Sequence, residues 1–229
     1  MKLAKRLMRR LSGGGSIPTD GLLFLYDCES NASNIMVDAS GNSSNGSIFG
    51  SSIVPGKISN ALMFNGTTSH GAATSHMKNI STGFSLSLWV NMTIRTNSYD
   101  CLWMMDTLSS STRMRIFNYS SSLQGMSFQV GPTIINDTGG QNPSGITHIL
   151  AQYNATTGLV ELYFNNQLID SGITTTGLST PNMTAQIGKA QSNTASQPNQ
   201  SISGWIDQVR FYDRPVTSDE RTALYEEAV

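Results

Sequence analysis

Charge is scarce in this chain: Asp, Glu, Lys and Arg together make up 13% of its 229 residues. Long apolar runs are missing too, and none approaches the ~18 residues needed to span a bilayer. Helical segments are few, because Asn, Ser, Thr and Gly crowd the intervals between apolar runs, a composition of short strands and turn-rich connections. Only two cysteines occur, Cys28 and Cys101, so one disulfide is the maximum, and their spacing matches no zinc or redox motif. They read as two buried thiols, which favours synthesis in a reducing compartment.

Catalytic signatures are missing as well. Glycoside hydrolysis needs a general acid and a second carboxylate flanking one bond, yet none of the five glutamates (Glu29, Glu161, Glu220, Glu226, Glu227) lies in an E-x-D-x-x-E type arrangement on one strand. His70, His76 and His148 are scattered and read as structural. No nucleophile elbow, P-loop or H-E-x-x-H motif occurs. The chain is therefore expected not to be an enzyme, with no catalytic residue, no metal ligand and no cofactor. No secretory signal is expected either, because Ser12-Gly13-Gly14-Gly15-Ser16 follows the basic start where an apolar h-region would lie.

What is present begins with a concentrated basic arm. Lys2, Lys5, Arg6, Arg9 and Arg10 fall in the first ten positions, and Leu3, Leu7 and Leu11 recur at helical spacing among them. This pattern is a short basic amphipathic helix that orders only against a partner. Docking on a larger protein assembly is the expected use of Lys2, Leu3, Lys5, Arg6, Leu7, Arg9, Arg10 and Leu11. A membrane interface and nucleic acid are the alternatives, although the mildly acidic body does not favour nucleic acid as a partner. Positions 1–19 are read as arm and Gly/Ser linker, and 20–229 as one domain of a size that a single β-sandwich core can fill.

Phe84-Ser85-Leu86-Ser87-Leu88-Trp89-Val90 alternates with period 2, which puts Phe84, Leu86, Leu88 and Val90 on one core-facing side. Trp89 has the opposite parity, and packing beneath a loop is favoured over a sugar-stacking platform. Further strands are predicted at 21–26, 101–105, 113–117, 126–130 and 146–153, with a hairpin of 159–164 and 167–170 around Asn165-Asn166. In the last strand Ile206 and Val209 also differ in parity, so burying both demands a bulge near Asp207 and Gln208. Thr217 and Glu220 then carry the capping-box spacing of a closing helix.

Gly204-Trp205-Ile206-Asp207-Gln208-Val209-Arg210-Phe211-Tyr212-Asp213-Arg214 with Leu224-Tyr225 resembles the last strand and helix of the laminin G-like branch of the concanavalin A-like lectin/glucanase superfamily. Thr147–Gly172, the strand 84–90, the turn Asp38–Gly46, the segment Ala61–His70 and Ile187-Gly188 are similar to further segments of that family. The resemblance implies an all-β, two-sheet antiparallel jelly-roll sandwich (concanavalin A-like), here with a short N-terminal basic helix and a short C-terminal helix. It also implies glycan or cell-surface adhesion. Relatives often place Asp residues where this chain has Asn65, Thr68 and Ser69, and Asp38 is the only carboxylate in its turn, so essential calcium is not expected. A ligand is expected at rim loops, on neutral Asn, Ser and Tyr groups beside an aromatic surface, with its residues unassigned.

The function expected from these readings is a non-catalytic structural or decoration subunit of a larger assembly. A phage virion, or another extracellular assembly reached without a secretory signal, is the expected location, with the arm as anchor and homo-oligomerisation left open. A free-standing carbohydrate-binding module is the alternative, and a glycoside hydrolase the third reading.

Overall fold

The alternation in 84–90 places Phe84, Leu86, Leu88 and Val90 in the core and Ser85, Ser87 and Trp89 on the opposite face. The same period recurs, interrupted by bulges, in the strands of the computed structural model, which describes residues 16–73, 80, 82–93, 99–105, 113–119, 125–136, 142–175, 185–189 and 201–227.

Within those residues the chain runs through β1 (Leu22–Tyr26), β2 (Ile35–Met36), β3 (Gly46–Phe49), β4 (Ser52–Pro55), β5 (Asn60–Asn65) and β6 (His70–Ala73). It continues through β7 (Gly83–Thr93), β8 (Tyr99–Met105), β9 (Met114–Tyr119), β10 (Met126–Val130) and β11 (Thr133–Asn136). The last elements are β12 (Thr147–Asn154), β13 (Leu159–Phe164), β14 (Gln167–Ile173), β15 (Ala185–Ile187), β16 (Ser203–Tyr212) and the helix α1 (Ser218–Tyr225). The first sheet has the order β14-β13-β12-β7-β16-β5-β4, with β1 also paired to β16, and the second runs β11-β10-β9-β8-β15-β6-β3-β2. Neighbouring strands pair antiparallel throughout, which is the expected jelly-roll sandwich.

Between the sheets, Phe84 and Trp103 stack on Phe211 at 5.6 Å each, and Phe24 stacks on it at 5.7 Å. This aromatic column fills the middle of the core. The bulge in β16 is present: Asp207 faces Trp89 and Arg210 faces Ser87, so one extra residue is inserted, and Gln208 takes it up with φ +52°. Ile206 and Val209 are both buried as a result. Asn165 and Asn166 both adopt positive φ, as a two-residue β13–β14 turn of the primed type requires. Both bonds of the expected capping box form, Glu220 N–H to Thr217 Oγ1 at 3.3 Å and Thr217 N–H to Glu220 Oε2 at 2.8 Å. Arg214 clamps Glu220 through two bonds of 2.8 and 2.6 Å, which holds that carboxyl below its ordinary range. α1 then lies on the outer face of the first sheet, where Leu224 is buried with Leu25, Leu150, Tyr163 and Tyr212.

Candidate functional site

The two outer faces of the sandwich differ, and the difference locates the candidate site. On the second sheet β3 turns Gly46 and Ile48 inward and Ser47 and Phe49 outward. Phe49 is 59% exposed, the largest exposure among the buried-type aromatic residues that the sandwich presents in its described part. β3 pairs with β6 so that His70 stands directly opposite Phe49, with ring centroids 5.6 Å apart and a 38° tilt. Ser47 and Ala72 form the next outward pair, and Ile35 of β2 extends the row.

A neutral rim loop borders this pair. Asn65 Oδ1 accepts the N–H groups of Thr67, Thr68 and Ser69 at 3.0, 2.9 and 3.1 Å, and its Nδ2 donates to Thr68 Oγ1 at 2.9 Å. Ser69 Oγ donates to the Gly50 carbonyl at 2.6 Å, which fastens the loop to the residue after Phe49. His70 Nδ1 lies 3.0 Å from the Thr68 carbonyl. A carbonyl can only accept, so Nδ1 carries the proton, and in that tautomer Nε2 is the acceptor. The arrangement offers an apolar ring face, an imidazole acceptor and the exposed hydroxyls of Thr67 and Thr68, the groups that a saccharide's C–H face and hydroxyls engage.

The two loops considered for calcium do structural work instead. Asp38 is buried; its Oδ1 accepts Leu25 N–H and Ser40 N–H at 3.0 and 2.9 Å, and its Oδ2 accepts Ser40 Oγ–H and Ser44 N–H at 2.8 and 2.9 Å. Four donors already occupy the lone pairs that a cation would need. Asn65 is committed to its own loop in the same way. Among the described residues no group of three or more His, Cys, Asp or Glu is placed to hold a metal ion.

The outer face of the first sheet is covered. Trp89 is 3% exposed, stacked on Tyr225 at 6.0 Å with Lys57 Nζ 4.7 Å from its ring centroid. It packs beneath the chain end and is no platform. His148 Nε2 lies 2.9 Å from Ser87 Oγ, and burial, with Arg210 and Lys57 nearby, pulls the His148 imidazole down to about 3. Arg210 and Glu227 form a buried ion pair at 2.7 Å, and Arg210 Nη2 also donates to Gln208 Oε1 at 2.9 Å. Asp207 is buried too, accepts Ile58 N–H at 2.8 Å, and is pushed up to about 7 by desolvation. No disulfide joins Cys28 and Cys101, both buried, and burial raises the Cys28 thiol.

Sequence reading missed the central pair of the candidate site. Neither β3 nor β6 alternates for long enough to stand out, and a lone His among scattered histidines reads as structural. The hint was the exposed parity of Phe49 in Gly46-Ser47-Ile48-Phe49. Of the residues assigned to partner binding, Lys2, Leu3, Lys5, Arg6, Leu7, Arg9, Arg10 and Leu11 lie outside the described residues, as do the N-terminal helix and His76. No helix among the described residues is long and apolar enough to cross a membrane.

A laminin G-like family model, described as the concanavalin A-like lectin/glucanases superfamily, matches residues 65–220. No curated protein matches the chain by sequence. Among solved structures, a Trypanosoma rangeli sialidase mutant displaying trans-sialidase activity superposes with a TM-score of 0.75 at 15% identity, covering 100% of this chain and 38% of that one. This chain thus spans little more than a third of the sialidase's length. Domain 4 of AbnA, a GH43 extracellular arabinanase of Geobacillus stearothermophilus, in complex with arabinotriose, superposes at 0.64 with 21% identity, covering 89% of this chain and 98% of that one. The binding domain of Paraclostridial Mosquitocidal Protein 1 superposes at 0.68 with 19% identity, covering 90% and 52%.

These neighbours correct one expectation. The sandwich superposes on a little over a third of a sialidase and on one domain of a GH43 arabinanase, so the expectation of a non-enzyme, drawn from the missing carboxylate motif alone, does not stand. The motif argument looked for both carboxylates on one strand. Acid groups that share a site can come from different strands and loops, which a linear motif does not register.

Proposed function

The chain belongs to the concanavalin A-like lectin/glucanase superfamily, and from that membership we propose that it recognises carbohydrate on the outer face of its second sheet, with Phe49 and His70 as the contact pair. The observation that carries this reading is the outward Phe49–His70 pair beside a neutral, hydrogen-bond-organised rim loop. Sugars are bound this way for a physical reason: their axial C–H faces lose unfavourable hydration against an aromatic ring, while their hydroxyls need neutral donors and acceptors. The likeness to a domain solved with arabinotriose supports the reading.

Isothermal titration of the full chain with arabinotriose, and with a glycan array for breadth, tests the proposal. Phe49→Ala and His70→Ala are each expected to weaken binding at least tenfold while the circular dichroism spectrum stays unchanged. Binding that is indifferent to both substitutions places the site elsewhere and refutes the assignment. The same incubations, analysed for released monosaccharide, report cleavage directly.

Anchoring of this sandwich on a larger assembly such as a virion is a separate proposal. It rests on the basic amphipathic pattern of residues 2–11. Deleting residues 1–12 is expected to leave the sandwich folded and to abolish incorporation into the parent particle. Incorporation at undiminished occupancy would reject the arm as anchor.

A further inference from the structure

Five of the nine buried side-chain polar atoms without a partner among the described residues lie on one surface, the covered outer face of the first sheet: Trp89 Nε1, His148 Nδ1, Asp207 Oδ1, Arg210 Nε and Glu227 Oε2. The strand registers make this a cluster, because His148 stands opposite Trp89, Trp89 opposite Asp207, and Arg210 opposite Ser87. The Trp89 and His148 rings are 5.0 Å apart, and Tyr225 closes over both at 6.0 and 6.1 Å. Glu227 follows two residues later and reaches Arg210 at 2.7 Å.

The chemistry of these atoms is complementary. The indole and guanidinium N–H groups can only donate, and the carboxylate oxygen can only accept. Leaving such groups buried and unpaired is costly for each, more so for the two that are charged. A buried ion pair repays its desolvation only when its remaining hydrogen-bonding positions are filled. The occupant must donate and accept at once and carry no charge, since one partner is a cation and the other an anion. Water meets both conditions, with two to four polar partners at the site.

We propose that ordered internal water occupies the seam between Tyr225–Glu227 and the first sheet, bridging Trp89 Nε1 and Arg210 Nε to Glu227 Oε2. The last turn of the chain is then held by two different means. Leu224 is anchored by dry apolar packing, whereas Glu227 closes the sandwich through a hydrated polar joint. Arg210 is the positioning residue of that joint, because its guanidinium orients Gln208 and Glu227 together.

The indole N–H signals of the full-length, nitrogen-15-labelled protein test this. Three tryptophans are present, and each signal is assigned by a Trp→Phe variant. Trp103 Nε1 is also unpartnered, but it sits in the aromatic column of the core and serves as the dry control. A water-to-N–H cross-peak is expected at Trp89 and not at Trp103. Glu227→Gln, which keeps an acceptor, should retain the peak, and Glu227→Leu should reduce it several-fold. The proposal is overturned if wild-type Trp89 is as silent as Trp103, or if Glu227→Leu leaves the Trp89 peak intact. Should Glu227→Leu not fold, the wild-type comparison of the two indoles decides by itself.

Discussion

Replacing Asp207 by Asn is expected to remove a pH dependence that burial imposes on the fold. Asp207 is fully buried on β16, its Oδ2 takes the Ile58 N–H at 2.8 Å, and its Oδ1 has no partner. Desolvation pushes its pKa from 3.8 to about 7, against the pull of the Ile58 and Gln208 N–H groups and of Arg210, with Glu29 adding to the rise. Because the folded pKa lies above the unfolded one, the folded state binds the proton more tightly between these values. The contribution to stability is complete below the unfolded value and is lost as pH rises through the folded one. Each pH unit in that window is worth about 1.4 kcal/mol, so wild type should lose about 2 to 3 kcal/mol from this group between pH 5 and 8.

An asparagine cannot ionise and can still accept the Ile58 N–H. Its amide N–H2 would take the unpartnered position at a cost of about 1 to 2 kcal/mol, but that cost is the same at every pH. Urea unfolding of both proteins at pH 5, 6, 7 and 8 measures the difference, and all other titrations cancel in it. Asp207→Asn should gain about 2 to 3 kcal/mol on wild type from pH 5 to pH 8. A gap constant over that range would show that Asp207 titrates normally and that its burial is relieved by solvent.

Thr217→Ala removes the hydroxyl half of the α1 capping box, and should cost about 1 kcal/mol, read as a drop of about 2 to 4 °C in melting temperature. Glu227→Ala leaves the buried Arg210 guanidinium uncompensated and should cost about 3 to 5 kcal/mol, whereas the double change Arg210→Met with Glu227→Leu should recover most of it. A double variant as unstable in urea as the single one would show that lost packing, not charge, is responsible. Carbohydrate binding is expected to persist in excess EDTA, since four donors already occupy the Asp38 carboxylate. A loss restored by added calcium would refute that.

Much of the fold was legible in the residues because the signals are local. The core face of β7 follows from period 2, and the β16 bulge follows from the conflicting parity of Ile206 and Val209. The α1 start follows from Thr217 and Glu220, whose bonds span three residues. The turn at Asp38–Gly46 was also legible in its Asn and Gly content, whereas the four bonds that the Asp38 carboxylate accepts there were visible only in the structure. The candidate site had no such signature. Phe49 and His70 meet only because β3 pairs with β6 in one register, and a shift of one residue would have turned Phe49 into the core.

By itself, then, the sequence determined which residues alternate, turn and cap, because those preferences act over two to four positions of backbone geometry. The tertiary structure alone decided which outward-facing residues meet solvent. Trp89 and Phe49 both point away from the core, yet Trp89 is covered by Tyr225 while Phe49 is left open. The same closure raised Asp207, lowered His148 and enclosed the Arg210–Glu227 pair. Desolvation depends on what the returning chain end lays over a face, and no residue carries that information in its own identity or spacing.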